Sequence, residues 1–89
     1  MPTVYSLDQN YPNPFNPETA IRFALPSESR VQLNVYTVLG QQVATLVDEV
    51  RQAGYHTVKF DAASLGSGLY LYRLVAGEQV FVRKMMVVK

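Results

Sequence analysis

The 89-residue sequence contains no cysteine and no tryptophan. Without cysteine, no disulfide can stabilise a chain of this size, which buries roughly 60–65% of the surface that its unfolded form exposes. Stability therefore depends on apolar packing, for which 48% hydrophobic residues are available, including six tyrosines and four phenylalanines. The length predicts a single domain.

A charge imbalance and a long apolar run are missing as well. Eight basic and seven acidic residues give a net charge of +1, without the basic patch that would predict a nucleic-acid partner. The apolar run at residues 85–88 is far shorter than the ~18–20 residues of a membrane span. Residues 1–10 lack the basic start and apolar stretch of a signal peptide. Met1-Pro2 resembles the start of an expressed fragment, in which case the natural protein is longer and its targeting signals are expected elsewhere.

Helix signals are nearly absent, whereas strand signals recur about every 10–12 residues, which is typical of a sandwich or a barrel. Alternation places Ile21, Phe23 and Leu25 on the inward side of one strand, and Val31, Leu33 and Val35 on the inward side of the next. The predicted strands cover residues 4–7, 19–25, 30–37, 42–50, 55–61, 69–76 and 79–88. About seven short strands predict an all-β fold, an immunoglobulin-like antiparallel β-sandwich.

The chain is predicted to begin with a linker end and a short first strand over 1–10, followed by the sandwich over 11–89. The sandwich opens with YPNPFNP at 11–17, which we call the lead-in. Its prolines restrict the backbone before folding, so docking costs little entropy. We predict that the lead-in covers a sheet edge with Tyr11 and Phe15 as anchors. A proline-rich ligand for another domain is the alternative.

No set of residues suited to catalysis is found. His56 is the single histidine and lies on the apolar side of a predicted strand, where a packed structural role is expected. Asp48 and Glu49 are adjacent, so a strand would point them to opposite faces. The sequence therefore predicts no enzyme activity, no metal site and no cofactor.

A carbohydrate-binding or adhesive sandwich, appended to a secreted enzyme, is the alternative function. Aromatic faces bind sugars by stacking, and Tyr36 lies on the outward side of its predicted strand. Tyr70 and Tyr72 share a side, but together with Leu74 they suit a core row better than a sugar platform.

The last predicted strand, 79–88, is apolar on both sides. One side carries Val80, Val82, Met86 and Val88, and the other carries Phe81, Met85 and Val87. A thin sandwich buries one side of each strand. Either a bulge at Arg83-Lys84 changes the register, or one apolar row is left over. That row is covered by the lead-in or first strand, or it is recognised by another protein, for instance through strand addition.

Four blocks of the sequence resemble the type A C-terminal sorting domain of the type IX (Por) secretion system. They are LDQNYPNPFNPETAIRFALP, VQLNVYTVLGQQVATLVDE, AGYHTVKFDAASLGSGLYLYRL and RKMMVVK, in the family's order over 7–89. The block SGLYLYRL alone also resembles the immunoglobulin-like domain of flagellar hook-capping proteins. Phe60, where the family often has tryptophan, and the loop after Asp61, which lacks the usual glycine, are departures from the pattern.

The resemblance implies a non-catalytic sorting domain of a secreted or cell-surface protein of Bacteroidota or related phyla, after transit through the periplasm. Its implied partners are the outer-membrane secretion translocon with its sorting machinery and a covalently attached N-terminal passenger domain. A dimer through an edge strand is a further alternative. The positions implied in translocon recognition are Tyr11, Pro12, Asn13, Pro14, Gly40, Gly68, Tyr70, Lys84, Met85 and Lys89.

Overall fold

The computed structural model describes residues 2–88, which form seven β-strands and no helix. The strands are β1 (Ser6–Leu7), β2 (Glu18–Leu25), β3 (Ser29–Thr37), β4 (Gln42–Arg51), β5 (Gly54–Asp61), β6 (Gly68–Ala76) and β7 (Gln79–Val87). The six longer strands agree with the predicted ranges to within one residue at either end. The predicted strand at 4–7 is limited to its last two residues.

The strands form two antiparallel sheets, a three-stranded one in the order β1-β2-β5 and a four-stranded one in the order β4-β3-β6-β7. β2 pairs with β5 over its whole length, from Glu18 opposite Asp61 to Leu25 opposite Gly54. The two sheets are packed together, which confirms the predicted all-β, immunoglobulin-like sandwich.

Two glycines close the hairpins of the four-stranded sheet. Gly40 lies between β3 and β4 with a φ of +89°, and its N–H donates to the Thr37 carbonyl at 2.9 Å. Gly77 has a φ of +59° at the first of the two residues between β6 and β7, as a type II′ turn requires. Residues other than glycine rarely adopt these angles, so both positions favour glycine.

The core lies between the sheets and is built from the alternating inward positions. Every inward residue predicted on β2 and β3 is completely buried: Ile21, Phe23, Leu25, Val31, Leu33 and Val35. Phe15 of the lead-in also reaches this core, where its ring meets the ring of Phe60 edge-on with centroids 6.3 Å apart.

The lead-in runs beside the end of β7. The Phe15 N–H donates to the Met86 carbonyl at 3.0 Å, and the Val88 N–H donates to the Phe15 carbonyl at 3.0 Å. The Phe15 side chain is 2% exposed. These contacts confirm the prediction that the lead-in covers a sheet edge with Phe15 as an anchor. The peptide bonds before the prolines of the lead-in are cis.

The prediction that Tyr11 is a second anchor is wrong, because its side chain is 82% exposed. The backbone of Tyr11 pairs with Ala20 through two hydrogen bonds of 2.9 Å. Residues that pair directly point their side chains to the same side of a sheet. Ala20 lies on the outer side of β2, since its neighbours Thr19 and Ile21 are buried inside. The Tyr11 ring therefore projects outward.

Asn10 fixes the start of the lead-in from a buried position. Its side-chain amide donates to the Thr19 hydroxyl at 3.0 Å and to the Pro12 carbonyl at 3.1 Å. Its backbone N–H donates to the hydroxyl of Tyr72 at 2.8 Å, and that hydroxyl donates to the Asp8 carbonyl at 2.8 Å. Burial raises the pKa of the Tyr72 phenol above its usual value. This network joins the lead-in to β6 of the four-stranded sheet.

Candidate functional site

β7 pairs with β6 without a register shift, from Gly68 opposite Val87 to Ala76 opposite Gln79. The predicted alternative of a bulge at Arg83-Lys84 is therefore wrong, because alternation continues through the two charged residues. Met85 and Val87 are buried inside the sandwich. The opposite row of β7 stays on the outside, as the other alternative predicted.

Arg83 belongs to the inner row of β7 but lies at the open margin of the sandwich. Its Nε–H donates to the Leu7 carbonyl of β1 at 2.5 Å. The guanidinium thus satisfies a backbone acceptor of the opposite sheet, so its charge is accommodated without any change of register. This contact explains how the strand tolerates a cation between apolar residues.

The outer sides of β6 and β7 form one continuous surface, which we call the β6–β7 face. Its cross-strand pairs are Leu69–Met86, Leu71–Lys84, Arg73–Val82 and Val75–Val80. Val80 and Val82 are 58% and 55% exposed, and Leu71 and Val75 are partly buried by their neighbours. Directly opposite side chains lie about 4.5–5.5 Å apart at Cβ, so the six apolar residues are contiguous.

The β6–β7 face carries two cations and no acid. Arg73 and Lys84 occupy diagonal positions in the middle of the face, and diagonal neighbours in an antiparallel pair are about 7–8 Å apart. The Arg73 guanidinium lies 5.6 Å from the ring centre of Tyr36 on β3. Within residues 2–88 neither cation forms an ion pair. The face is therefore apolar around an uncompensated positive centre.

The outer face of the three-stranded sheet has a different character. Its exposed positions on β2 and β5 include Glu18, Arg22, Thr57, Lys59 and Asp61. The aromatic ring of Tyr55 on this face is covered by the Arg22 guanidinium at 4.5 Å from the ring centre. Polar residues outside and apolar residues inside are the usual pattern of such a sheet. The β6–β7 face departs from that pattern.

The free edge of β7 is occupied over its second half. Besides the two hydrogen bonds of Phe15, the Met86 N–H donates to the Asn13 side-chain carbonyl at 2.9 Å. The Gln9 side-chain amide donates to the Lys84 carbonyl at 2.6 Å. The edge from Lys84 to Val88 is thus paired within the chain, while the adjoining face stays open to solvent.

The positions that sequence comparison implied in recognition have three kinds of surroundings. In the lead-in, Tyr11, Pro12, Asn13 and Pro14 are exposed, and the Asn13 side chain binds β7. Lys84 lies on the β6–β7 face, whereas Met85 is buried in the core. Lys89 lies outside the described residues.

The remaining implied positions lie near turns at one end of the four-stranded sheet. Gly40 is in the β3–β4 turn, and Gly68 begins β6 with a φ of +146°. Tyr70 is half-buried, and its hydroxyl donates to the Gly66 carbonyl at 2.9 Å. Tyr70 pairs with Thr37 on one side and with Met85 on the other, so these positions are brought towards the same end as the lead-in.

Sequence reasoning missed the contribution of β6 to the exposed surface. Leu69 and Leu71 alternate with Tyr70 and Tyr72, so β6, like β7, is apolar on both sides. Apolar residues on both sides of β6 were the signal from which its contribution to the exposed surface could have been predicted. Leu69 is exposed next to Met86 only because of the β6–β7 register, which the sequence pattern alone does not specify.

Other candidate sites receive less support from the arrangement of side chains. Tyr72 is buried, as predicted for a core row, and the Tyr36 ring is covered on one side by Arg73. The His56 ring stacks on Phe23 with centroids 5.2 Å apart, and its Nε2 lies 2.8 Å from the Gln52 carbonyl. Across residues 2–88 no group of three or more His, Asp or Glu side chains is placed to hold a metal ion.

Taken together, the two sheets, the docked lead-in and the apolar outer surface define a small immunoglobulin-like β-sandwich module. A family model described as a secretion system C-terminal sorting domain matches residues 9–89. The chain belongs to this family, the C-terminal sorting domains of type IX secretion. No similar curated protein and no similar solved structure was found.

Membership in this family supports a role as a C-terminal sorting signal. It implies contact with the secretion machinery, attachment to a passenger and export to the cell surface or medium. Sorting-signal domains are generally non-catalytic. Within the described part of the chain there is no helix long and apolar enough to cross a membrane.

Proposed function

We propose that this domain directs a passenger protein, attached at its N-terminal side, through the type IX secretion system to the cell surface or medium. The outer-membrane translocon and its sorting machinery recognise the folded sandwich. The observation that carries this proposal, beside family membership, is the exposed apolar β6–β7 face.

An exposed contiguous apolar surface on a small protein commonly marks an interaction site. The valines at positions 80 and 82 are more than half exposed, so they contribute little to folding. Fully burying one such side chain is worth about 1.5–3 kcal/mol, so a partner that covers several of them gains substantial affinity. Recognition by another protein therefore accounts for side chains that the fold itself does not use.

The implied recognition positions divide into two roles under this proposal. Lys84 contacts the component that docks on the β6–β7 face, whereas the exposed lead-in residues Tyr11, Pro12 and Pro14, together with Lys89, contact other parts of the sorting machinery. Gly40, Gly68, Tyr70, Met85 and Asn13 act through the fold, because they form turns, fill the core or hold the lead-in against β7.

The test is a fusion of residues 1–89 to the C-terminus of a reporter that carries an ordinary signal peptide. In a host with a type IX system, we expect the reporter on the cell surface or in the medium. The same reporter without the domain should stay in the periplasm. A matched host with the translocon disabled should also retain the fusion.

Periplasmic retention of a folded, intact fusion in the competent host would contradict the proposal. Deleting residues 83–89 is a poor test, because it also removes Met85 and Val87 from the core and is expected to unfold the sandwich. Folding of the fusion is checked by its resistance to mild proteolysis.

A further inference from the structure

We propose that the machinery component that recognises this domain docks on the β6–β7 face, not on the edge of β7, and that it presents apolar side chains around at least one carboxylate. This inference rests on the proposed sorting function and identifies the chemistry of the partner. The inference has two parts: the partner docks on the β6–β7 face and not on the β7 edge, and the docking surface of the partner contains a carboxylate among apolar groups. The two parts follow from different observations.

The edge of β7 from Lys84 to Val88 is a poor site for strand addition because the lead-in and Gln9 are already bonded to it. An added strand needs free N–H and C=O groups along the edge. The carbonyls of Lys84 and Met86, and the N–H groups of Met86 and Val88, are bonded to Gln9, to Asn13 and to Phe15. A partner strand would have to remove the lead-in and the buried Phe15 ring with it.

The β6–β7 face needs no such rearrangement. Its side chains project away from the core, and Val80, Val82 and Met86 are 58%, 55% and 37% exposed. The face spans four consecutive cross-strand pairs, which is enough length for a rigid partner surface to lie across both strands. Docking can therefore use the domain in its folded form.

The charges on the face point to an acidic partner. Arg73 and Lys84 occupy diagonal positions on the face, and no described acid forms an ion pair with either one. A carboxylate on the partner would compensate this positive charge and form charge-assisted hydrogen bonds. An entirely apolar partner would instead bury two unpaired cations, which costs far more than it gains.

The same argument disfavours a second copy of this chain as the occupant. In a symmetric face-to-face dimer the same patch meets itself, so the central cations of both copies would approach one another. Like charges at an interface cost several kcal/mol. A different protein with complementary charge is therefore a better partner for the β6–β7 face than a second copy of this chain.

The apolar part is tested with the reporter fusion carrying Val80→Thr and Val82→Thr together. Threonine keeps the β-branched shape and every backbone hydrogen bond, so only the apolar character of the face changes. We expect export to fall by about tenfold or more at limiting expression, as loss of the equivalent of about 1.4 kcal/mol would produce. Val50→Thr is the matched control, because Val50 is 57% exposed on β4 at the far side of the same sheet.

The charged part is tested at Lys84. Lys84→Glu should lower export by about tenfold or more, whereas Lys84→Arg should stay within about twofold of the parent, since like charges across an interface are strongly unfavourable. Lys59→Glu, on the outer face of the three-stranded sheet, controls for the change in net charge. The melting temperature of each purified variant shows whether it remains folded.

The outcomes separate the inference from the function on which it rests. If the parent fusion is not exported, the sorting function fails. If the parent fusion is exported and the double variant Val80→Thr, Val82→Thr is exported as well as Val50→Thr, recognition through the β6–β7 face is overturned. The partner then recognises an edge strand or the lead-in instead. If Lys84→Glu is exported as well as Lys84→Arg, the acidic partner is wrong. If sedimentation equilibrium shows a dimer of the parent and a monomer of the double variant Val80→Thr, Val82→Thr, the occupant of the β6–β7 face is a second copy of this chain.

Discussion

β7 carries apolar side chains on both sides, and the two sides have opposite surroundings. The neighbours Met85 and Met86 are identical in chemistry, yet one is completely buried and the other is 37% exposed. Alternation along the strand decides which methionine points inward. The inner row fills the core, whereas the outer row is open to solvent. The two sides of β7 are therefore similar in composition but differ in role. The inner side stabilises the fold, and the outer side is an exposed apolar surface.

The outer face of the other sheet shows that a thin sandwich does not require such a surface. There the outward positions of β2 and β5 are mainly charged or polar, from Glu18 to Lys59. Both sheets cover the same core and face the same solvent on their outer sides. The apolar β6–β7 face is thus a property of two particular strands and not of the architecture.

The largest expected effect concerns the Phe15 ring, which anchors the lead-in in the core while its backbone pairs with the edge of β7. Phe15→Ala should reduce the free energy of unfolding by about 3–5 kcal/mol, because it removes a buried aromatic side chain from the core. Tyr11→Ala, in the same segment, should stay within about 0.5 kcal/mol because the Tyr11 ring is exposed. Urea unfolding followed by circular dichroism measures both.

If Phe15→Ala does not fold at all, Phe15→Leu gives a measurable variant with a smaller loss. Equal effects at Phe15 and Tyr11 would mean that the lead-in is not anchored as described. Anchoring of the lead-in by Phe15 could then no longer explain why the inner side of β7 is buried while the outer side is exposed.

The methionine pair provides the most direct comparison of the two sides. Met85→Ala should lower the free energy of unfolding by about 2–5 kcal/mol, while Met86→Ala should lower it by less than about 1 kcal/mol. Met85→Leu, which nearly conserves volume, should recover most of the loss. Thermal and urea unfolding of the three variants, made in the same background, checks the order. Comparable losses at both methionines would remove the distinction between an inner and an outer row.

Much of the fold was predictable because its signals are local. The alternation in β2 and β3 identified the inward residues without knowledge of their partners, and Gly40 and Gly77, which lie between predicted strands, are local signals for the two hairpin turns. The apolar character of both sides of β7 was also evident from the sequence. A period of two in the side chains is sufficient for these predictions.

The remaining features depend on pairing between distant segments. Tyr11 was expected to be buried, but its backbone pairs with the outward-facing Ala20, and no local pattern reveals that register. Leu69 joins the exposed surface only through its position opposite Met86. The role of Asn10 depends on Tyr72, which lies far away in the sequence. Long-range register, not composition, is what the sequence leaves open.

Among the three buried side chains, the smallest effect is expected at Tyr72, in the polar link between the lead-in and the four-stranded sheet. Tyr72→Phe removes the hydroxyl that accepts from the Asn10 N–H and donates to the Asp8 carbonyl. Because the buried N–H is left without this partner, the free energy of unfolding should fall by about 1–3 kcal/mol at pH 7.

The pH dependence of that loss has a defined sign. The folded-state pKa of Tyr72 is raised by burial, so the unfolded chain releases the phenol proton first. The stabilisation from Tyr72 is complete below the usual tyrosine pKa of about 10 and is lost as the pH rises through the folded-state value. The stability difference between the parent and Tyr72→Phe should therefore narrow above about pH 10. Urea unfolding of both proteins between neutral and alkaline pH measures it, and a difference that widens instead would show that the hydroxyl is not buried in this network.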